Sequence, residues 1–460
     1  MKGQSQAPKF TRRSGASESN PSIFRRWLLS KAMTYLFSKT KTVKRHRKAE
    51  LKRQKTGEAH RIEYFHQVDD AYSHLVAQIL TSFVQRYDAK LVCHLVESAK
   101  GDNSPEPELL LKLSRYDAFY IAPEYGLSFP EHEKPIAPNL LQLASKILAK
   151  QDSKGFIACV AKVGEAMWAG DKAALDKLSV EYGMTSETTL ENKLNEGKLR
   201  RESLKHYSGA MLYYGNEWYW GVDRLYHLEK RLAKLGLDTA PKQPLLVDRP
   251  SLNAGTLKDS GKLTLEIYAS LRSPYTAICF DRTVELASQT GVNLTVKPIL
   301  PMVMRGVPAT LEKGLYIFMD TAREADAANV SYGNFYDPIG EPVRNAYSLY
   351  PWVKAQGREV DYFSSFLNCV FAQGINTNKT SGIKTVVEQA GLDWQEAKTI
   401  LGKPGWESML EENRLTMYKL GIWGVPSFRL LNENGEQVFA TWGQDRLWLV
   451  AREIQRQLSD

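Results

Sequence analysis

Apolar and polar positions alternate most clearly near the C-terminus. Ser427 to Leu431 and Gln437 to Thr441 are β-prone runs separated by Asn432-Glu433-Asn434-Gly435, which predicts a hairpin whose turn needs positive φ. Val425-Pro426 precedes it. Proline cannot donate to a ladder, so it opens the strand or sits in a turn, and it is a candidate cis peptide. After the hairpin, Trp442-Gly443-Gln444-Asp445 leads into Leu447, Trp448, Val450, Ile454 and Leu458 at helical spacing, with Asp445 near the N-terminal end. Upstream, Leu263 to Tyr268 reads as a strand, Pro274 onward as a helix and Asn293 to Ile299 as a second strand. Helical segments fill about 302–420, among them Tyr362 to Phe371, Gly382 to Gln389 and Trp394 to Ile400, and are expected to lie as a lid over the small sheet.

The same order occurs twice. Residues 61–72 can be laid over 264–275, each a strand, a loop and a helix that opens with tyrosine. Lys90 to Val96 corresponds to Asn293 to Ile299, Tyr125 to Pro130 to Tyr332 to Pro338, and Asn216 to Leu225 to Val438 to Leu447. Four matches in one order predict a tandem duplication of α/β domains, at 60–238 and 263–460, with a structureless Pro/Gly/Ser-rich linker at 239–262.

Charge changes the picture only at the N-terminus. The chain carries a net +9, but residues 1–60 hold 16 Lys and Arg against 3 Asp and Glu, a net +13, which leaves about −4 for the body. Residues 1–59 are therefore a basic arm, and the folded body has no specific claim on nucleic acid. Met1 to Asn20 is polar without periodicity, as in disordered chain. Ile23 to Phe37 is a basic amphipathic helix, which either packs on the body or lies on an anionic membrane surface as a peripheral contact. Lys39 to Lys55 is a solvated charge run first and an RNA or lipid contact second. No uncharged apolar stretch is long enough to span a bilayer. The four cysteines, Cys93, Cys159, Cys279 and Cys369, are isolated and no CxxC occurs, which fits a reducing, cytoplasmic setting and disfavours a dithiol oxidoreductase. Cys279 and Cys369 fall on apolar helical faces as core thiols.

Ser273 falls at a strand-to-helix junction, where a hydroxyl adjoins unpaired backbone N–H groups and the positive end of a helix dipole. A serine without a neighbouring base is a poor nucleophile, whereas a thiolate is stabilised by donors and by a helix N-terminus. The same serine also suits a plain N-cap, with Pro274 at the first helical position.

The words GVPSF and WGQDRL, with the order proline, hairpin, glycine turn and terminal helix, resemble the C-terminal half of a thioredoxin-like domain. The branch they resemble holds 2-hydroxychromene-2-carboxylate isomerases and kappa-class glutathione transferases, with the disulfide oxidoreductase DsbA more distant. The resemblance implies two tandem thioredoxin-like domains, each with a helical insertion, and a glutathione-dependent isomerase or transferase acting on a small electrophile. Under it Ser273, in the word S-P-Y, donates a hydrogen bond to the sulfur of bound glutathione. Val425 and Pro426 offer backbone to the same ligand, and Gln444 and Asp445 hold its γ-glutamyl end. Lys313, in the pattern P-A-(x)-K-x-x-Y, is a contact for a glutathione or substrate carboxylate, while Arg323 suits an ion pair with Asp320 or Glu324. Asn345 stands in PVRNAYSLYPWV, which departs from the family pattern and leaves the substrate open.

In the N-terminal half the place of Ser273 is taken by Asp70, that of Pro274 by Ala71, and the Val425-Pro426 region by Gly209-Ala210. A carboxylate there repels a thiolate, so this half is expected to keep the fold without the site and to stand in for a second subunit as a pseudo-dimer in cis. Two further functions stay open: a non-catalytic or membrane-peripheral binding protein, and a thiol-disulfide oxidoreductase of the DsbA family.

Overall fold

The structure, a computed structural model, describes residues 20–130, 135–307 and 309–459. Contacts divide the chain into two compact units, one of residues 43–250 and one that joins 251–460 to the chain up to Thr42. The polar start of the arm, residues 1–19, lies outside the described residues, as does Pro308 of the Val307-Thr310 segment. Helix α1 (Ile23–Leu36) belongs to the C-terminal unit and starts at Ser22, whose side chain accepts from Arg25 N. The charge run that follows is itself a helix, α2 (Lys39–Thr56), with an Arg53–Glu50 pair one turn apart.

In the unit 43–250, β1 (Arg61–His66), α3 (Ala71–Arg86) and β2 (Lys90–Leu95) form a βαβ opening. Helices α4 (Pro107–Ile121), α5 (Pro138–Ala149), α6 (Ser153–Trp168), α7 (Lys172–Tyr182) and α8 (Glu187–Ser203) make the insertion, and β3 (Met211–Tyr214), β4 (Glu217–Trp220) and α9 (Leu225–Lys234) close the unit. The sheet runs β2-β1-β3-β4, with β2 parallel and β3 antiparallel to β1. Apolar residues at helical spacing, Leu75, Val76, Ile79, Leu80 and Phe83, bury α3 in the core.

The C-terminal unit repeats this plan. It has β5 (Thr264–Ala269), α10 (Pro274–Thr290) and β6 (Asn293–Pro298), then α11 (Leu311–Ala327), α12 (Glu341–Ala355), α13 (Glu359–Asn368), α14 (Thr380–Gln389), α15 (Trp394–Ile400) and α16 (Glu407–Lys419). Strands β7 (Ser427–Leu431) and β8 (Gln437–Trp442) and helix α17 (Leu447–Ser459) end the chain, and the sheet order is β6-β5-β7-β8. The expected helix 362–371 starts earlier, at Glu359, and passes into a single π-helical turn at Cys369–Gln373. The hairpin turn is closed by Asn432 N donating to Glu436 O at 2.9 Å, with Gly435 at φ 75°.

Register as well as order is repeated. Val96 N donates to His66 O at 2.9 Å as Ile299 N does to Ala269 O at 2.8 Å, and Gly221 N donates to Ala210 O at 2.8 Å as Gly443 N does to Pro426 O at 3.0 Å. The protein is an α/β chain of two thioredoxin-like domains with two four-stranded sheets and a high helical content.

Candidate active site

Strand β5 is buried from Leu265 onward and ends at Ala269, from which four residues lead to the first turn of α10. Ser273 is the N-cap, with extended backbone (φ −91°, ψ 117°), and its Oγ accepts from Thr276 N at 3.2 Å. The same Oγ donates to Val425 O at 3.4 Å. The peptide Val425-Pro426 is cis. The helix mouth and the proline peptide, 152 residues apart in sequence, thus face each other.

The glycine turn is the third element. Gly443 N bonds to Pro426 O, and Gly443 has φ 118°, where a Cβ would strike Asp445 Oδ1 at 2.5 Å. Gln444 is buried; its Nε2 donates to Glu324 Oε2 at 3.2 Å, while its Oε1 is buried with no hydrogen-bond partner among the described residues. Asp445 keeps 17% of its side chain exposed and lies 3.9 Å from Arg446 Nη1.

Helix α11 supplies the fourth side. Tyr275 OH donates to Asp320 Oδ2 at 2.7 Å, and Arg323 Nη2 pairs with Asp320 Oδ1 at 2.6 Å. Arg323 is therefore the ion-pair partner its spacing predicts. Lys313, on the first turn, holds Nζ 5.6 Å from the centre of the Trp423 ring. Burial lowers its pKa to about 8, and among the described residues no carboxylate pairs with it. Asn345 is on α12, with its Oδ1 beside Gly402.

Two residues that the sequence did not single out complete the geometry. Trp423 is buried, packs tilted against Trp442 with ring centres 5.0 Å apart, and its Nε1 has no hydrogen-bond partner among the described residues. Arg305 donates from Nη2 to Trp423 O at 3.5 Å, has buried Nε and Nη1 with no hydrogen-bond partner among the described residues, and has its pKa lowered chiefly by burial. Two cations so reach Trp423, Lys313 over its ring and Arg305 at its main-chain carbonyl, two residues before Val425. The only available signal was position, since Arg305 lies between two segments of the family pattern, and nothing in its spacing links it to Trp423.

Thiol chemistry has no donor within the chain here. Cys279 and Cys369 are fully buried; burial pushes their thiols up to about 12 and about 11. Residues 251–460 contain no histidine. Among the described residues no cluster of His, Cys, Asp or Glu is arranged to hold a metal ion. What the site offers is a hydroxyl at a helix N-terminus, an adjacent backbone edge, an orphan amide oxygen and two cations, which together suit an anionic, peptide-like ligand.

Among solved structures, a 2-hydroxychromene-2-carboxylate isomerase aligns at 20% identity and TM-score 0.36, over 42% of this chain and 95% of that one. A probable DsbA oxidoreductase from Streptomyces coelicolor aligns at 16% identity and TM-score 0.33, over 42% and 91%. No curated protein sequence matches the chain. The family model of the DSBA-like thioredoxin domain matches residues 264–455, the stretch that holds Ser273 and the cis Val425-Pro426 peptide.

Proposed function

We propose that the C-terminal domain is a glutathione-dependent isomerase or transferase acting on an electrophilic, anionic small molecule, with Ser273 as the residue that steadies the thiolate. The observation that carries this is the 3.4 Å contact between the Ser273 hydroxyl and the Val425 carbonyl at the mouth of α10. The residues fit glutathione on chemical grounds: the orphan Gln444 Oε1 is an acceptor for an ammonium group, Asp445 is a nearby carboxylate, and the half-buried Lys313 and Arg305 are cations suited to a carboxylate.

Bound glutathione would supply a thiolate that adds to an electron-poor double bond and either leaves after rotation or stays as a conjugate. Ser273 turns its hydroxyl from Val425 O to the anion, and the dipole of α10 adds to that stabilisation. Val425 presents main chain to an extended ligand. Lys313 stays charged below about pH 8 and orients the acidic end of the ligand or substrate.

Thiol-disulfide exchange is the second function that a DSBA-like domain admits. Against it stand the serine at the helix mouth and two buried thiols whose pKa is raised. Retention of the full chain on immobilised glutathione, with loss on Ser273→Ala, and glutathione-dependent turnover of unsaturated aromatic carboxylates are the expected results. Absence of both, together with reduction of a protein disulfide by the purified chain, would replace this function with the oxidoreductase one.

A further inference from the structure

Helix α1 is attached to the C-terminal unit by its polar side. Arg26 is 1% exposed; its Nη1 donates to Asp337 O at 2.8 Å and Ile339 O at 2.6 Å, and its Nη2 donates to Asn20 Oδ1 at 3.0 Å. One and two turns on, Asp337 N donates to Ser30 Oγ at 3.1 Å and Phe335 N to Thr34 Oγ1 at 2.9 Å. Phe37 anchors the end, stacked 5.5 Å from Phe318. The loop it meets presents main-chain N–H and C=O groups, so a polar stripe, rather than an apolar one, satisfies it.

The consequence is an inverted helix. Phe24, Leu28 and Tyr35, at i, i+4 and i+11 on the opposite face, are 69%, 50% and 59% exposed, and the exposed Trp27 and Leu29 flank that face. Arg25 and Lys31 are exposed beside them. Among the described residues no helix is long and apolar enough to cross a membrane.

We propose that the outward face of α1 docks on the surface of an anionic lipid bilayer, with Phe24, Trp27 and Leu28 in the headgroup boundary and Arg25 and Lys31 on the lipid phosphates. Charge complementarity selects this occupant. The arm's net +13 attracts an anionic surface and repels a second copy of itself, and nucleic acid, which would satisfy the charge, has no use for exposed leucines. The docked helix lies in the interface plane and leaves its polar side to the protein, which is how Arg26 and Ser30 already hold it.

Flotation of the full chain with vesicles of phosphatidylcholine alone, and with about one-third phosphatidylglycerol, tests this directly. Binding to the anionic vesicles is expected, weakened by added salt and reduced about tenfold or more by Phe24→Asp with Leu28→Asp. Arg25→Glu with Lys31→Glu, at exposed positions that leave the Arg26 contacts intact, is expected to reduce it about tenfold. Equal binding to neutral vesicles, no binding to either, or binding indifferent to both double variants overturns the proposal. So does a dimer, or retention on RNA, that the Phe24→Asp, Leu28→Asp variant alone alters while vesicles are not bound.

Discussion

At the start of its first helix each half of the molecule places a polar cap, and the two caps are satisfied in different ways. In the unit 43–250, Asp70 Oδ2 accepts from Ser73 N at 2.9 Å and from Ser73 Oγ at 2.8 Å, and Ser73 Oγ in turn accepts from Gln67 N at 3.2 Å and Ala210 N at 2.9 Å. In the C-terminal unit, Thr276 occupies the place of Ser73, and its Oγ1 is buried with no hydrogen-bond partner among the described residues. The reason lies one strand away: Pro426 stands where Ala210 does and has no N–H to give. The N-terminal cap is thus closed by its own side chains and the C-terminal one is left with unused hydrogen-bonding capacity. What the two share is scaffold, including Tyr72 OH on Asp117 at 2.8 Å and Tyr275 OH on Asp320 at 2.7 Å.

Acid should separate the halves most strongly. All eight histidines lie in the unit 43–250 and none in 251–460. Burial holds His66 and His206 down to about 3 and His74 to about 4. The unfolded chain takes up these protons below about pH 6.5 and the folded one does not, so stability falls with pH by roughly 1.4 kcal/mol per unit for each buried imidazole. Hydrogen exchange corrected for intrinsic rates is expected to accelerate at β1 and α3 as pH falls from about 6.5 to about 4.5, while β5 and α10 keep their protection. Equal acceleration in both would erase the contrast.

Importing the carboxylate into the other half comes next. Ser273→Asp keeps a good N-cap yet places a negative charge where a thiolate would sit, and calorimetry is expected to show glutathione affinity lower by about 100-fold or more with little change in the urea midpoint. Removing the closed cap is a stability experiment: Asp70→Ala strips two hydrogen bonds at once and should cost about 1–2 kcal/mol in urea unfolding, against about 1 kcal/mol for Ser273→Ala. A cost at Ser273 as large as at Asp70 would mean the C-terminal cap is structural alone. The smallest effect is at Lys313, whose charge is lost as pH rises through about 8. Affinity for a carboxylate ligand should fall about three- to tenfold between about pH 7 and 9, and Lys313→Met should flatten that dependence.

Much of the scaffold was legible because it is local. The Asn432–Gly435 turn, the proline before β7 and the helical spacing of Leu447 to Leu458 each carry their signal within a few residues, and the repeat made each half a check on the other. Ser273 was legible as a cap from its place before Pro274, and its meeting with Val425 followed from the family word rather than from spacing. Arg305 and Trp423 were not legible, since they meet across 118 residues and their burial depends on how α11 and α16 close around them. Helix α1 was seen as amphipathic, but its orientation was hidden: the usual expectation that the apolar face turns inward fails where the surface it meets is a row of main-chain amides.

The amino-acid sequence alone determined the two-domain plan, the strand and helix order of each half and the difference between Asp70 and Ser273, because those rest on short-range periodicity, turn chemistry and residue identity. The tertiary structure alone decided which of these residues meet, which buried atoms go unpaired and which face of α1 looks outward. Desolvation and hydrogen-bond partners belong to neighbours in space, and pattern along the chain does not record them.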